Sequence, residues 1–171
     1  MYRQASVTAS TDYLTGLPNA RSLFLHLDSE RSRCRRSEEP LTVLVCDLDG
    51  FKRVNDELGH LTGNRVLAEV AKALKGCCRE SDYVARMGGD EFVLVLPGID
   101  TGAISPRLRR IEQAVAEAGI EACGQRTVGL SVGLAEFGAD GQSVEDLLAE
   151  ADRRMYVNKR KPKLVPRALA S

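Results

Sequence analysis

The sequence predicts an α/β fold of the α+β kind, in which a mixed central sheet of about five strands is surrounded by helices. Three observations predict it. Residues 42–46 form a near-continuous apolar run, as expected of a strand that is buried on both faces. Residues 83–87 and 92–96 alternate like strands around Gly88 and Gly89, which suit the positive φ of a tight hairpin. Helical patterns separate these strands along the chain.

The remaining elements follow in chain order. Residues 1–11 are small and polar and are predicted to be a linker, and residues 17–19 introduce the first helix. We expect one domain over residues 12–165 and a short tail over residues 166–171. Further helices are predicted to about residue 36 and over residues 51–57, 64–77, 104–118 and 144–159, with another strand over residues 128–135.

Composition bounds the class of protein. The chain has 171 residues, 43% of them hydrophobic, which suits one sizeable core. Lys plus Arg and Asp plus Glu number 24 each, so no basic excess argues for nucleic-acid binding. Five cysteines lack the spacing of a metal site, and most are predicted to be reduced core residues. No apolar run reaches membrane-spanning length, and a cytoplasmic domain is expected.

Carboxylates lie at the ends of two predicted strands. Asp47 and Asp49 follow the apolar strand, and Asp90 and Glu91 lie in the hairpin turn. Facing carboxylates suit hard divalent cations such as Mg²⁺, which prefer oxygen ligands. Two alternatives remain open: surface turns favour Gly and Asp for conformational reasons alone, and Asp49 has the position of a helix N-cap.

Several segments together resemble the GGDEF domains, whose active members are diguanylate cyclases that condense two GTP into cyclic di-GMP and release pyrophosphate. The resemblance runs from residue 12 to about residue 160 and rests on residues 12–19, 47–56, 59–63, 88–92, 151–152 and 155–156. It implies that residues 12–165 are a GGDEF domain, with a fold related to the palm of nucleotidyl cyclases and polymerases and with the GGDEF signature on a β-hairpin.

The resemblance also implies the metal-binding and catalytic residues. Asp47, Asp90 and the Leu48 carbonyl correspond to ligands of Mg²⁺ or Mn²⁺, and Glu91 supports the site as a ligand or as a charge partner. Asp90, Glu91 and Lys52 are the predicted catalytic residues. Lys52 would reach the triphosphate as a point charge, and the alternative is an ordinary solvated lysine.

Other matched positions imply contacts to the triphosphate. Backbone N–H groups around Phe51 and Lys52 lie where a helix begins after a strand, a geometry that cradles phosphate. Lys159 keeps the place of a phosphate-binding lysine. Lys163 replaces an arginine of the family, and Pro162 replaces a glycine. A lysine preserves the charge but loses the bidentate geometry of a guanidinium.

The base-binding positions include a departure from the family. Asn55 matches the asparagine that reads the guanine. The family's aspartate is replaced by Asn64. A carboxylate accepts from both N1–H and N2–H of guanine, whereas the Asn64 amide offers one acceptor oxygen and opposes N1–H with its own hydrogens. We therefore predict weakened GTP binding or relaxed purine discrimination.

An RxxD segment marks a predicted site for the inhibitory product. Arg79 precedes Gly88 by nine residues, which matches the family's spacing, and Asp82 completes the segment. Arginine and aspartate suit the phosphates and the guanine edge of cyclic di-GMP. Arg110 on the following predicted helix is a second candidate contact. The alternatives are a surface ion pair for the RxxD segment and a solvated arginine at 110.

Three functions are consistent with the sequence. The first is a working diguanylate cyclase that uses a second GGDEF domain, because each domain supplies one half-site for a two-fold product. The second is a non-catalytic module that binds GTP or cyclic di-GMP and regulates a partner domain. The third is a cyclase with broader purine selectivity. The linker-like start also predicts further sensor or effector domains in a longer protein.

Overall fold

A computed structural model describes residues 10–161, and in this part of the chain five helices surround one β-sheet. The elements in chain order are α1 (Ala20–Ser37), β1 (Leu41–Asp49), α2 (Phe51–Leu58), α3 (His60–Gly76), β2 (Tyr83–Gly88), β3 (Glu91–Pro97), α4 (Ser105–Cys123), β4 (Gly129–Glu136) and α5 (Val144–Arg160). Each predicted helix and strand is present, and most bounds differ from the prediction by a few residues.

The sheet has four strands in the order β2-β3-β1-β4, and every neighbouring pair is antiparallel. The prediction of a mixed sheet with about five strands is therefore wrong for residues 10–161. The four apolar strand patterns of the sequence account for all four strands. The strand β2 runs in the same direction as β1. The pairing with β1 is antiparallel because its neighbour is β3, which runs the opposite way after the hairpin turn.

Helices cover both faces of the sheet, as predicted. On one face, α3 and α4 pack against alternate residues of β1 and β3, including Leu44 and Leu94. On the other face, α1 and α5 pack against Val43 and Val93. Because both faces are covered, residues 41–46 of β1 are all buried, which confirms the interpretation of its apolar run.

Side-chain and backbone caps set the ends of several helices. Asn19 caps α1, because its side chain accepts a hydrogen bond from the Ser22 N–H. The helix α3 begins at His60 rather than at Asn64, so residue 64 lies in its second turn. The helix α4 extends past the predicted end at residue 118 to Cys123, and Gly124 ends it in the left-handed conformation.

The described residues have three further properties. No helix within residues 10–161 is long and apolar enough to cross a bilayer. All five cysteines carry free thiols, and three of them are buried. The backbone of α5 lies directly against β4 at Gly133, where a Cβ atom would overlap the Ala151 carbonyl oxygen and the Met155 nitrogen.

Candidate active site

The strand register brings the two acidic segments together. Asp47 in β1 is the Cα partner of Glu91 in β3, and the Leu48 N–H donates to the Asp90 carbonyl oxygen at 3.2 Å. The end of the central strand and the tip of the β2–β3 hairpin therefore form one acidic surface. This juxtaposition requires the β1–β3 pairing, which connects residues far apart in sequence.

Two glycines shape the tip of this hairpin. Gly88 and Gly89 have φ values of 145° and 50°, so both adopt the positive φ that the sequence predicted. The pairing shifts between Arg86 and Gly88, which leaves Met87 as a bulge residue in β2. The bulge and the two glycines place the Asp90 side chain beside β1 instead of continuing the regular ladder.

Arg86 anchors the hairpin tip to the start of the domain. Its Nη2 and Nε donate to the Gly89 carbonyl oxygen at 2.8 and 3.1 Å, and its Nη1 donates to the Asp12 carboxylate at 3.0 and 3.1 Å. Burial opposes ionisation of Asp12, but hydrogen bonds from Thr15 and Arg86 outweigh it and lower the pKa of Asp12. The sequence pointed to residues 12–19 and to the hairpin but gave no signal that they contact each other.

The clustered carboxylates perturb one another. Burial, a hydrogen bond to Asp47 and the charge of Asp47 raise the pKa of Asp90 to about 6, although the charge of Lys159 opposes the rise. Burial and the negative charges of Asp152, Asp47 and Asp90 also raise the pKa of Glu91. The site therefore concentrates negative charge where water stabilises it poorly.

One oxygen of Asp47 lacks a hydrogen-bond donor. Asp47 Oδ1 is buried and has no hydrogen-bond partner within the described part of the chain. Two ionised carboxylates cannot hydrogen-bond to each other, so this oxygen would need a proton shared with Asp90, a water molecule or a cation. Few buried polar atoms in folded proteins lack a partner, so this oxygen is open to a ligand from outside the protein chain.

Lys159 supplies a positive charge to the same oxygens. From the last turn of α5, its Nζ lies 3.1 Å from Asp47 Oδ2 and 3.7 Å from Asp49 Oδ1, and it donates to the Leu48 carbonyl oxygen at 3.2 Å. The sequence predicted Lys159 as a triphosphate contact. In the structure, its ammonium lies on the predicted metal ligands.

Asp49 is not the N-cap of α2. Gly50 occupies that position with a φ of 85° and caps the helix with no side-chain hydrogen bond, so the N-cap alternative is wrong. A Cβ at Gly50 would lie 2.7 Å from the Thr127 carbonyl oxygen, and this close approach requires glycine. Asp49 points across the sheet, where the buried Ser131 hydroxyl donates to its Oδ1 at 2.7 Å.

The donor set fits a divalent cation that also binds nucleotide. Across residues 10–161, no three acidic, histidine or cysteine side chains are arranged to hold a metal ion by themselves. Mg²⁺ typically binds through one or two carboxylates and completes its shell with water and substrate phosphate. Asp47, Asp90 and the Leu48 carbonyl provide a set of that kind, with Glu91 beside it.

A cavity of about 520 Å³ adjoins these carboxylates. It begins where β1 ends, and it brings together cationic and acidic side chains at the start of α2. Its lining consists of Leu48, Gly50, Phe51, Lys52, Arg53, Asp56, Glu57, Asp90 and Lys159. A larger cavity of about 740 Å³ between α4, β4 and α5 contains none of the predicted site residues.

The predicted base-binding residues lie where α2 meets α3. Gly63 packs against Asn55, because a Cβ at residue 63 would overlap the Asn55 Oδ1 and come within 3.5 Å of the Phe51 ring. Gly63 therefore leaves the space that the Asn55 carboxamide occupies. Asn64 follows it on α3 and is exposed. The contact places Asn55 beside the start of α3, near Asn64.

The RxxD segment forms a closed ion-pair cluster. Arg79 donates through its backbone N–H at 2.7 Å and its Nη2 at 3.0 Å to Asp82, whose side chain is fully buried. Arg107 donates to the same carboxylate at 2.7 Å. Burial opposes ionisation of Asp82, but hydrogen bonds from both arginines outweigh it and lower its pKa. Arg110 lies exposed one turn further along α4.

Arg107 was not predicted as a site residue. Its contact with Asp82 exists only because α4 packs beside the RxxD segment, and the sequence does not show that packing. Lys163, together with Pro162, lies outside the described residues, so its predicted contact to triphosphate stays a prediction.

The chain was compared with known families and proteins. The family described as "Diguanylate cyclase, GGDEF domain" matches residues 9–163. Among curated proteins, the chain is similar to diguanylate cyclase DgcP of Pseudomonas aeruginosa, with 37% identity over 153 residues. That alignment covers 89% of this chain and 23% of the relative. Diguanylate cyclase A of Treponema denticola is 37% identical over 123 residues, which cover 71% of this chain and 33% of the relative.

Solved structures show the same fold. A sensory box/GGDEF family protein from Caulobacter crescentus has a TM-score of 0.79 and 37% identity, with 88% of this chain and 98% of that chain covered. The GGDEF domain of DgcB from the same organism, solved in complex with c-di-GMP, has a TM-score of 0.80 and 28% identity, with 89% and 91% covered.

The extent of these matches defines what they establish. The chain spans between about a fifth and a third of the length of the first curated relatives, so it corresponds to one part of each. The family match nevertheless covers nearly all of this chain, and the predicted signature residues lie at one end of the sheet. The chain belongs to the GGDEF domain family.

Proposed function

We propose that this domain condenses two molecules of GTP into cyclic di-GMP and releases pyrophosphate, with a divalent metal and a second GGDEF domain. The proposal is supported chiefly by the placement of Asp90 beside Asp47, where burial and mutual repulsion raise the pKa of Asp90 to about 6 at the edge of a cavity that contains Lys52. Relatives of the same family are named diguanylate cyclases.

The acidic residues of this chain bind and position the reacting groups. Asp47, Asp90 and the Leu48 carbonyl would hold Mg²⁺ or Mn²⁺, and Glu91 adds charge beside them. A bound metal of this type activates the attacking 3′-hydroxyl and stabilises charge on the transferred phosphate. Because phosphoryl transfer depends mainly on positioning and charge neutralisation, the side chains need only orient the α-phosphate for in-line attack.

Cationic and backbone donors would hold the triphosphate. Lys52 and Lys159 line the same cavity as Asp90, and Lys163 is proposed to join them. The first N–H groups of a helix have no intrahelical partner, and α2 begins at Phe51 just after β1 ends at Asp49. Together these donors would neutralise the phosphates while the carboxylates bind the metal. The cationic groups and the acidic groups of the cavity would then each have their own partner.

A forced dimer would test this function. Two copies fused through a leucine zipper should convert GTP and Mg²⁺ into cyclic di-GMP, because each domain supplies one half-site. Products are identified by liquid chromatography with GTP alone, ATP alone and a mixture of both. An Asp47→Asn dimer serves as the inactive control. Nucleotide binding without any dinucleotide product would contradict the proposal.

Asn64 favours a second candidate function, a domain that binds nucleotide without turning it over efficiently and regulates an attached domain. An amide at this position pairs poorly with guanine, and the segment after residue 161 also departs from the family. In the dimer assay, a regulatory module binds GTP or cyclic di-GMP and makes nothing. A cyclase with relaxed purine selectivity instead makes mixed dinucleotides.

Asn64→Asp should strengthen GTP binding about tenfold, because a charged acceptor contributes about 1.5–3 kcal/mol against about 0.5–1.5 kcal/mol for a neutral one. The affinity is measured by isothermal titration with a non-hydrolysable GTP analogue in the presence of Mg²⁺. The corresponding ATP analogue should gain nothing from the substitution, since adenine N1 is an acceptor.

Gln125→Glu adds the same negative charge in an exposed loop and serves as the control for net charge. An unchanged GTP affinity in Asn64→Asp, or equal gains for GTP and ATP, would show that residue 64 does not read the base.

The RxxD cluster is proposed to bind cyclic di-GMP. The Arg79 side chain is half exposed and already forms hydrogen bonds with Asp82 and the Pro97 carbonyl, so it is held in place before any ligand arrives. Arg79→Ala should weaken cyclic di-GMP binding at least about tenfold, because it removes charge-assisted hydrogen bonds. Titration calorimetry measures the affinity, and the exposed Arg126→Ala is the control. Unchanged affinity would exclude this site.

The setting of the domain is also proposed. Because the relatives are more than twice as long as this chain, we infer that sensor or effector domains adjoin it in a cytoplasmic protein. One structural neighbour, SiaD of Pseudomonas aeruginosa, was solved in complex with its activator SiaC. Pairing of two domains under the control of such partners would then switch synthesis on.

A further inference from the structure

We propose that Lys159 is an internal counter-ion of the metal site, so that its ammonium group and the first divalent cation compete for the same oxygens. The inference rests on the proposed function, because it concerns the metal ligands named there. It goes further by assigning Lys159 a second position, on the carboxylates, that it holds whenever metal and nucleotide are absent.

The ammonium lies among the oxygens that a metal would need. Lys159 Nζ is 3.1 Å from Asp47 Oδ2 and 3.2 Å from the Leu48 carbonyl oxygen. Both atoms belong to the proposed ligand set. The Asp47 side chain is only 19% exposed and that of Lys159 35%, so water screens this pair less than a surface ion pair.

Neighbouring elements hold the ammonium in this place. Asp49 contributes a second carboxylate 3.7 Å from Nζ, and the buried Ser131 hydroxyl fixes the orientation of Asp49 at 2.7 Å. The close contact of α5 with Gly133 sets the height of the helix above β4. Lys159 is therefore positioned by the sheet and its covering helix, which makes the contact a property of the folded domain.

The ammonium and a metal would compete for the Asp47 carboxylate and the Leu48 carbonyl, although Asp47 Oδ1 itself has no hydrogen-bond partner among the described residues. A cation about 2.0–2.1 Å from Asp47 Oδ2 would lie within about 5 Å of Nζ at its present position, and two positive charges at that separation repel strongly in a partly buried site. A metal at the Leu48 carbonyl would approach an oxygen that already accepts from Lys159, which adds to this repulsion. In this proposal, binding of metal alone displaces Lys159 toward solvent.

The triphosphate gives the displaced lysine a new partner. Lys159 lines the cavity beside Lys52, so its side chain has room to turn from the carboxylates toward phosphates. Metal binding is then weak alone and stronger with nucleotide, because the nucleotide compensates the lost ion pair. The coupling is reciprocal, so metal also promotes nucleotide binding. In a metal-free domain, Lys159 partly offsets the charge of Asp47 and Asp49 until both ligands arrive.

Mn²⁺ titration without nucleotide tests the competition, with free Mn²⁺ measured by electron paramagnetic resonance. Lys159→Met should bind Mn²⁺ about tenfold tighter than the unmodified domain, since one charge-assisted contact no longer opposes the metal. Lys159→Arg retains a cation and should stay within about threefold. Lys161→Met removes an equal charge two residues later and should stay within about twofold, because it is exposed.

The outcomes separate this inference from the proposed function. Asp47→Asn should abolish Mn²⁺ binding in every background. If Mn²⁺ binding depends on Asp47 but Lys159→Met leaves its affinity unchanged or weaker, the counter-ion role is wrong and the metal site stands. If no variant shows Mn²⁺ binding that depends on Asp47, both the metal site and the counter-ion role are wrong.

A measurement on the unmodified chain covers the case in which Lys159→Met does not fold. A proton–nitrogen correlation spectrum selective for lysine ammonium groups should show Lys159 as an ordered signal, assigned through its absence in Lys159→Arg. Saturation with Mg²⁺ should shift or broaden this signal and leave that of Lys161 unchanged. A Lys159 signal that is unaffected by Mg²⁺ would overturn the proposal.

Discussion

Asp90→Asn is expected to abolish dinucleotide synthesis and, at the same time, to stabilise the metal-free domain. Loss of a charged ligand for the metal should lower the turnover of the forced dimer at least about a thousandfold, because charge stabilisation in phosphoryl transfer is worth several kcal/mol. The stability gain arises because a neutral amide at residue 90 is buried at lower cost than a carboxylate and no longer repels Asp47. A residue that contributes to catalysis but not to stability should show both effects, a loss of activity and a gain in stability.

The stability effect depends on pH in a defined direction. The pKa of Asp90 is raised from 3.8 to about 6, so the neutral acid stabilises the fold fully below about pH 4, and this stabilisation is lost as the pH rises through about 6. At pH 7.5, after discounting for solvent screening of this half-exposed group, Asp90→Asn should be about 1 kcal/mol more stable, or about 2–4 °C in Tm. Near pH 4 the difference should disappear.

Thermal denaturation in a metal-free buffer at several pH values measures this effect. Glu121→Gln removes one negative charge at an exposed position of α4 and should change neither activity nor Tm appreciably. Addition of Mg²⁺ should raise the Tm of the unmodified domain more than that of Asp90→Asn. An active Asp90→Asn dimer, or a variant that is less stable at pH 7.5, would contradict the assignment of Asp90 to the metal site.

Gly133→Ala is expected to have the largest effect on folding. The added Cβ would overlap backbone atoms of Ala151 and Met155 in α5 and would lie 2.9 Å from the Met155 Cα. Backbone atoms in the middle of a helix cannot move aside singly, so α5 must separate from β4. We expect a loss of at least about 3 kcal/mol, a large part of the roughly 5–15 kcal/mol that stabilises a domain.

Urea unfolding of Gly133→Ala measures this loss. Gly76→Ala is the matched control, because a Cβ there meets no atom within 4 Å and residue 76 already has helical geometry at the end of α3. The control should be neutral or slightly stabilising. A Gly133→Ala domain that unfolds at the same urea concentration as the unmodified one would show that α5 does not contact β4 this closely.

The sequence predicted the elements well because each has a local signal. The apolar run of β1, the alternating strands around Gly88 and Gly89, and the helix that begins after Asn19 all depend on neighbours within a few residues. The number and direction of the strands were less well predicted. The pairing of β3 with β1 joins segments that are more than 40 residues apart, and no local pattern specifies it.

For the candidate site too, the sequence predicted some features and the tertiary structure alone showed others. The motif residues identified the types of group present, namely carboxylates, a lysine and asparagines at family-like spacing. Three contacts were not predictable from them: Arg86 with Asp12, Arg107 with Asp82, and Lys159 with Asp47. Each joins side chains from different elements, so each depends on how those elements pack.

By itself, the sequence determined which elements form and which family the chain belongs to, because helix, strand and motif signals are local. Tertiary structure alone decided that the ammonium of an α5 lysine lies on the carboxylates of β1 and that Asp49 faces Ser131 instead of capping α2. Distances between side chains on different elements follow from packing across the sheet. Packing of that kind depends on the whole core at once.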